Sequence, residues 1–279
     1  MITAGRMIVA AYRFNGERQW LVEPGDFISA HGYNACPVIF NETVIINGDH
    51  DGDAYIVALN RLTGAVQWKI PRENKTRSYV TPIIREIEGR TQMVLSGSLS
   101  VASYDPHNGN RHWLMDGPTE QFVASMIYNG EFFFVTGGFP ERHFLAIRPN
   151  GKGKIAEEHI AWRTKRGAGY VPSPIAHGDF VYLVADSGVA SCFNARSGHR
   201  YWMERLPGGH SASPVSADGK IFFVSDKGTT TVVESGPTFK VLASNKLNEL
   251  VSASPAISHQ QLFIRGKQHL YCIGTGKSD

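Results

Sequence analysis

Two landmarks that recur along the chain predict an all-β fold of four-stranded antiparallel blades, a β-propeller. The first is a tight turn followed by a tryptophan. "IVALNRLTGAVQW" (56–68) returns as "MIVAAYRFNGERQW" (7–20), "ASYDPHNGNRHW" (102–113) and "ASCFNARSGHRYW" (190–202). A looser copy, "LAIRPNGKGKIAEEHIAW" (145–162), carries an insertion between turn and tryptophan. Trp20, Trp68, Trp113, Trp162 and Trp202 therefore stand 48, 45, 49 and 40 residues apart, a period that marks a stacked repeat. The second landmark is a small residue and a proline opening an apolar run. It appears as "ACPVIF", "VTPIIR", "PSPIAH", "ASPVSA" and "ASPAIS", and "VASMIY" fills the remaining slot with Met126.

Each unit follows from these marks in order. The N-terminal segment 1–20 supplies a partial blade, with a third strand over 7–14 and a fourth over 17–20. The cores at 36–68, 81–113, 124–162 and 173–202 each run from the opening landmark to a tryptophan. The core at 213–243 keeps the strands without the tryptophan, and 254–273 supplies three strands, "SASPAIS", "QLFIRG" and "HLYCIG". Between the landmarks lie runs such as "TVIING", "EFFFVTGG" and "KIFFVSDKG", whose β-branched and aromatic residues with Gly/Asp/Asn punctuation read as strands. Gly64, Gly109 and Gly198 sit at the turn before the fourth strand, where glycine adopts positive φ without steric cost. One four-stranded sheet cannot bury both of its faces, so blades stack and bury each other's. A tryptophan near the outer edge would fill the widening gap between blades, its indole N–H donating to a neighbouring turn carbonyl.

This pattern resembles the PQQ-repeat, quinoprotein-like and BamB-like propellers, whose docking motif runs roughly Ala-x-Asp-x-x-Thr-Gly-x-x-x-Trp. Ala58, Thr63, Gly64 and Trp68 match it, with Asn60 at the aspartate position; Ala102, Asp105, Gly109 and Trp113 follow more loosely, and Gly198 with Trp202 keep its end. The resemblance implies a single propeller domain over 1–279, of the non-enzymatic branch, periplasmic or secreted, with a protein or polar ligand as partner. Five complete and two partial blades predict a piece of a larger, eight-bladed parent lacking its N-terminal blades, with a closed six- or seven-bladed ring as the alternative. The N-terminus does not read as a signal peptide, and full-length relatives carry one, which is consistent with truncation.

Composition narrows the classes further. A hydrophobic content of 42% with 19% charge is that of a globular protein, and a net charge of +3 without clustered cations and aromatics argues against nucleic acid. No apolar run reaches the length of a membrane span. Cys36, Cys192 and Cys272 are distant from one another, so no disulfide framework or zinc site is indicated, and three buried thiols are expected. Arg72, Lys75 and Arg77 read as part of a solvated basic loop.

Candidate chemistry falls in two places. Asp49, Asp51 and Asp53 alternate in a loop between second and third strands; such carboxylates could hold Ca²⁺, against the simpler reading of a solvent-facing turn. The segments before each inner strand should line the central funnel, offering His31, Tyr33, Asn34, Arg77, Tyr79, Glu120, Gln121, Tyr170, His210 and Glu249 to a polar ligand or peptide. His31 and His210 are the acid–base candidates by type. No Gly-x-Ser-x-Gly elbow or phosphate loop is present. The expected function is a non-catalytic binding scaffold without cofactor. The alternative is a quinoprotein dehydrogenase using PQQ and Ca²⁺, although the chain has no Cys-Cys pair and all five tryptophans occupy repeat positions.

Overall fold

The structure is a computed structural model describing residues 3–72, 78–97 and 99–274. β1 (Thr3–Tyr12) and β2 (Arg18–Ser29) pair as a two-stranded sheet. β3 (Val38–Phe40), β4 (Thr43–Gly48), β5 (Tyr55–Asn60) and β6 (Val66–Pro71) form a complete antiparallel blade, as do β7 (Ile83–Ile87), β8 (Arg90–Gly97), β9 (Ser100–Tyr104) and β10 (Arg111–Asp116). β11 (Ile127–Tyr128), β12 (Phe133–Gly137) and β13 (His143–Ile147) begin the next blade. The chain then makes β14 (Gly153–Ile155) and a 3-10 turn (Glu157–His159) before β15 (Ile160–Thr164) completes it. Two further blades are β16 (Ile175–His177), β17 (Phe180–Val184), β18 (Val189–Asn194), β19 (Arg200–Arg205), and β20 (Val215–Ala217), β21 (Lys220–Val224), β22 (Thr229–Glu234), β23 (Val241–Lys246). β24 (Ala256–Ser258), β25 (Gln261–Arg265) and β26 (Leu270–Ile273) form a three-stranded sheet. The fold is thus the expected β-propeller of four-stranded antiparallel blades. The insertion read in the looser repeat is β14, which pairs in parallel with β10 and makes that sheet five-stranded.

The chain divides into two compact units, Met1–Met126 with Pro149–His159, and Ile127–Arg148 with Ile160–Asp279. Both are built by the same docking of tryptophans on turns. In the first, Trp20 Nε1 donates to the Arg61 carbonyl (3.0 Å) and Trp68 Nε1 to that of Pro106 (3.2 Å). In the second, Trp162 donates to Ala195 (2.9 Å) and Trp202 to Gly236 (3.2 Å). The residue directly opposite each indole on the third strand is small: Ala11, Ala58, Ala146 and Cys192 face Trp20, Trp68, Trp162 and Trp202. The turn is shaped by an Asx cap. Asn194 Oδ1 accepts from the N–H groups of Arg196 and Ser197 while its carbonyl accepts from Gly198 N–H, and Asn60 does the same for Leu62, Thr63 and Gly64. The docking glycine has φ +70° at Gly198, and a Cβ there would lie 2.5 Å from the Trp162 ring.

Trp113 departs from this scheme for a physical reason. The turn it would reach belongs to the inserted segment, and its Nε1 donates instead to Gln92 Oε1 (2.9 Å), whose amide donates to the Pro149 carbonyl (3.1 Å). Pro149 holds the place that Ala195 holds for Trp162, three residues beyond the small residue opposite the indole (Ala146, Cys192). Gln92 therefore relays the same link, and Trp113 is fully buried.

The small-residue-and-proline landmark carries a second link between neighbouring blades. Proline has no N–H, so the residue before it offers the last backbone donor ahead of the inner strand. The Cys36 N–H donates to Thr81 Oγ1 (2.9 Å) and the Thr81 N–H to Ser125 Oγ (3.1 Å). In the second unit the Ser173 N–H donates to Ser213 Oγ and the Ser213 N–H to Ser254 Oγ, both at 2.9 Å. The expectation of three buried thiols is corrected: Cys192 is buried, but Cys36 and Cys272 are exposed. Cys36 stands in this pre-proline slot and Cys272 on the three-stranded sheet, which has no fourth strand to cover it.

Gly16 (φ +85°) and Gly198 share the left-handed conformation, but nothing lies within 4 Å of a Cβ built on Gly16. Gly16→Ala should therefore cost about 1–2 kcal/mol in conformation alone, whereas Gly198→Ala also displaces the Trp162 indole. Urea unfolding should place the midpoint of Gly198→Ala clearly below that of Gly16→Ala; equal midpoints would mean the turn–indole contact contributes nothing.

Candidate functional site

The segments expected to line a funnel prove to be of two kinds. Counting four residues back from the proline slot gives Tyr33, Ser78, Phe122, Tyr170, His210 and Val251, of which Ser78, Phe122, His210 and Val251 are buried. His210 is thus not presented to a ligand: it is 1% exposed, neither ring nitrogen has a hydrogen-bond partner among the described residues, and burial lowers its pKa. Tyr170, at the same offset, is half-buried and packs on Gly138, where a Cβ would come within 2.3 Å of its ring. Tyr79 is also buried, its hydroxyl without a partner among the described residues. His31, Tyr33 and Asn34 are exposed; the His31 ring lies 6.2 Å from that of Tyr79, and Tyr33 stands edge-on to Phe27 at 5.7 Å. Glu120 is exposed and Gln121 half-buried. The Glu249 carboxylate accepts from the Gln268 N–H and from His269, which ties it to the turn between β25 and β26. Arg77 lies outside the described residues, as does Lys75.

A carboxylate at the end of the second strand recurs in three blades, and spacing alone did not reveal it. By register, Asp49, Asp186 and Asp226 each stand four residues beyond the second-strand partner of Val38, Ile175 and Val215. Asp186 accepts from the Tyr170 and Val171 N–H groups (3.0 and 3.1 Å), and Asp226 from Ser211 N–H (2.8 Å). Both carboxylates pin the loop that leads into their own blade. The visible signal was "VADSG" beside "VSDKG".

Asp49 uses the same position differently. Its two oxygens accept from Arg72 Nε (2.8 Å) and Nη2 (3.3 Å), and Ser78 Oγ donates to it at 2.8 Å. Arg72 Nη1 donates to the Tyr104 hydroxyl (2.8 Å), and Asn47 Nδ2 donates to Ser78 Oγ and the Val80 carbonyl. The side chains of Arg72 and Asp49 are 3% and 0% exposed. Burial pulls the guanidinium pKa down, but Asp49 and Tyr104 outweigh it and raise it above the ordinary value. Two sequence expectations are corrected here. Arg72 belongs to a buried ion pair rather than a solvated basic loop. Nor do the three aspartates converge: Asp49 turns inward, Asp51 is half-buried and Asp53 exposed. Among the described residues no three His, Cys, Asp or Glu side chains stand together as a metal would require. His50, between them, accepts at Nδ1 from the Gly52 N–H (2.9 Å) and packs between Phe27 and Tyr55.

Comparison with known proteins adds the lineage. The family profile described as outer membrane protein assembly factor BamB matches residues 2–204 and 153–262. No curated protein sequence matches. Among solved structures, BamB from Moraxella catarrhalis is similar with a TM-score of 0.54 and 13% identity, over 95% of this chain and 90% of that one. The quinohemoprotein alcohol dehydrogenase from Comamonas testosteroni is similar with a TM-score of 0.54 and 10% identity, over 77% of this chain and 43% of that one. The computationally designed Ika8 protein gives a TM-score of 0.65 at 12% identity, over 93% and 75%. At these identities the likenesses speak for the fold alone.

Two expected outcomes follow from the polar groups. Asp49→Ala strands a buried guanidinium and should cost about 3–5 kcal/mol, with Asp49→Ala/Arg72→Met recovering much of it; additive losses in urea unfolding would contradict the coupling. Burial lowers the pKa of His50, His143 and His210, with Lys165 adding to the effect at His143. Their unfolded forms bind protons more readily, so this contribution is complete above the unfolded pKa of about 6.5 and is lost as pH falls below it. Stability measured from pH 7.5 to 5 should fall, less steeply in His210→Leu.

Proposed function

The chain belongs to the family of the outer membrane protein assembly factor BamB, and from that membership we propose that it is a non-catalytic, exported scaffold that binds another protein. One observation carries this reading: the polar groups best suited to chemistry are spent on the protein's own backbone and junctions. Asp186 and Asp226 hold loop N–H groups, Asp49 neutralises a buried arginine, and His210 is buried.

The residues present favour this reading over the quinoprotein alternative with PQQ. A quinone needs a flat aromatic face to stack on; four indoles already donate across blade junctions and the fifth, Trp113, is buried against Gln92 of its own sheet. No adjacent cysteines are available for the opposite face. What remains exposed supports protein contact. Ile8, Tyr12 and Phe14 project from the β1–β2 hairpin at 61%, 60% and 115% exposure, and large apolar side chains clustered on a surface mark interaction sites. Among the described residues no helix is long and apolar enough to cross a membrane.

The reading is tested with the purified chain, PQQ, Ca²⁺ and an electron-accepting dye, offered simple alcohols and sugars. No PQQ-dependent dye reduction is expected. Sustained turnover would overturn the scaffold assignment in favour of a dehydrogenase.

A further inference from the structure

Four junctions between blades are closed by an indole that donates to a turn carbonyl, and Trp113 reaches the Pro149 carbonyl through Gln92 within the first unit. The junction between β20–β23 and β24–β26, within the second unit, has none. There Ala243 pairs with Val232 as Trp202 pairs with Cys192 one blade earlier, so an alanine occupies the tryptophan position. The same junction holds a groove of about 1010 Å³, lined from Ala217 and Ile257 on the first strands to Asn245 on β23 and including Val232, the partner of Ala243.

The walls of the groove repeat, position by position, the walls that enclose Trp202. That indole shares one buried cluster with Tyr182 and Cys192 of its own blade and with Ile221, Phe223 and Val233 of the next, and its ring also meets Phe239 at 5.0 Å. Shifted by one blade, the register places Phe222 and Val232 for the first pair, and Leu262, Ile264 and Ile273 for the other three. All five line the groove. Five apolar wall positions that flank the tryptophan elsewhere are therefore repeated here, while the side chain between them is reduced to a methyl; the counterpart of the Gly236 turn lies outside the described residues. Its rim carries Asn245, Gln260 and Gln261, which can satisfy a ring N–H or a polar substituent. A mostly apolar cleft of this size with a few polar groups at its edge has the character of a small-molecule site. Ile273 is 47% exposed at the mouth, so the slot is reachable from solvent.

The geometry points to a binding site for a small planar aromatic molecule of indole size at this junction. The ligand occupies the position of the missing tryptophan and completes the junction as Trp202 completes the previous one. Binding is to the folded state only, so it stabilises by mass action.

Free indole is the probe. Thermal melts of the intact chain should rise by about 2–4 °C at roughly ten times the dissociation constant. Trp202→Ala, which empties the preceding slot, serves as the positive control and should show a larger rise. Ala243→Trp should melt above the wild type without indole and lose the response to it. Ile273→Glu, at the half-exposed mouth, should keep the wild-type melt and lose the response as well, which keeps the test decisive if Ala243→Trp does not fold. A wild-type melt indifferent to indole while Trp202→Ala responds would overturn the site. So would a response that persists unchanged in Ile273→Glu.

Discussion

A blade of four strands is hydrophobic on both faces, and its stability depends on what closes the wedge that opens toward its outer edge. In this protein that closure is a single side chain reaching across to the next turn. The indole is wide enough to fill the wedge, its one N–H finds one carbonyl, and a small residue opposite gives it room to lie flat. The turn must in turn be compact, which is why an Asx cap and a left-handed glycine stand where the ring lands. Strand register, turn chemistry and side-chain choice are thus three consequences of one contact. Because each contact joins only adjacent blades, stability accumulates by neighbours, as in other repeat architectures.

Polar groups in such a scaffold are governed by what lies across the junction. Asp186 and Asp226 occupy equivalent places and do equivalent work on the entry loops of their blades. Asp49 occupies the same place, yet Arg72 approaches it from the end of β6 and captures it as an ion pair, with Ser78 and Tyr104 completing the shell. A buried pair of this kind is weak evidence for net stability, but it tolerates no loss of one member. Chemically attractive residues in the sequence therefore became structural ones when their neighbours were known.

How far the sequence could be read follows from the range of the interactions. The tryptophan period, the positive-φ glycines and the small-residue-and-proline runs are local constraints, and each was legible with its mechanism. The indole acceptor was legible too, as a turn carbonyl. What stayed hidden was pairing over about forty residues: the hydroxyls of Thr81, Ser213 and Ser254 as acceptors, and the relay through Gln92. Serine before proline reads simply as a small residue until its neighbour's N–H is placed beside it. Likewise His210 read as a funnel residue open to a ligand, because polarity in a loop says nothing of its burial in the fold. The three aspartates misled through their even spacing, which suggested convergence although the backbone between them turns their side chains to different surroundings.

The links from pre-proline N–H to neighbouring hydroxyl have a direction: each N–H is given to the next such residue along the chain, and Thr81 and Ser213 also lend their oxygen to the one before. At Thr81 and Ser213 such a connector is like a plug and socket carried on one part. A gene duplication that inserts one more copy would therefore arrive already fitted at both ends, needing no compensating change in the blades on either side. The same property lets a joint lose its tryptophan, as at Ala243, and still be held at its inner end while its outer end diverges.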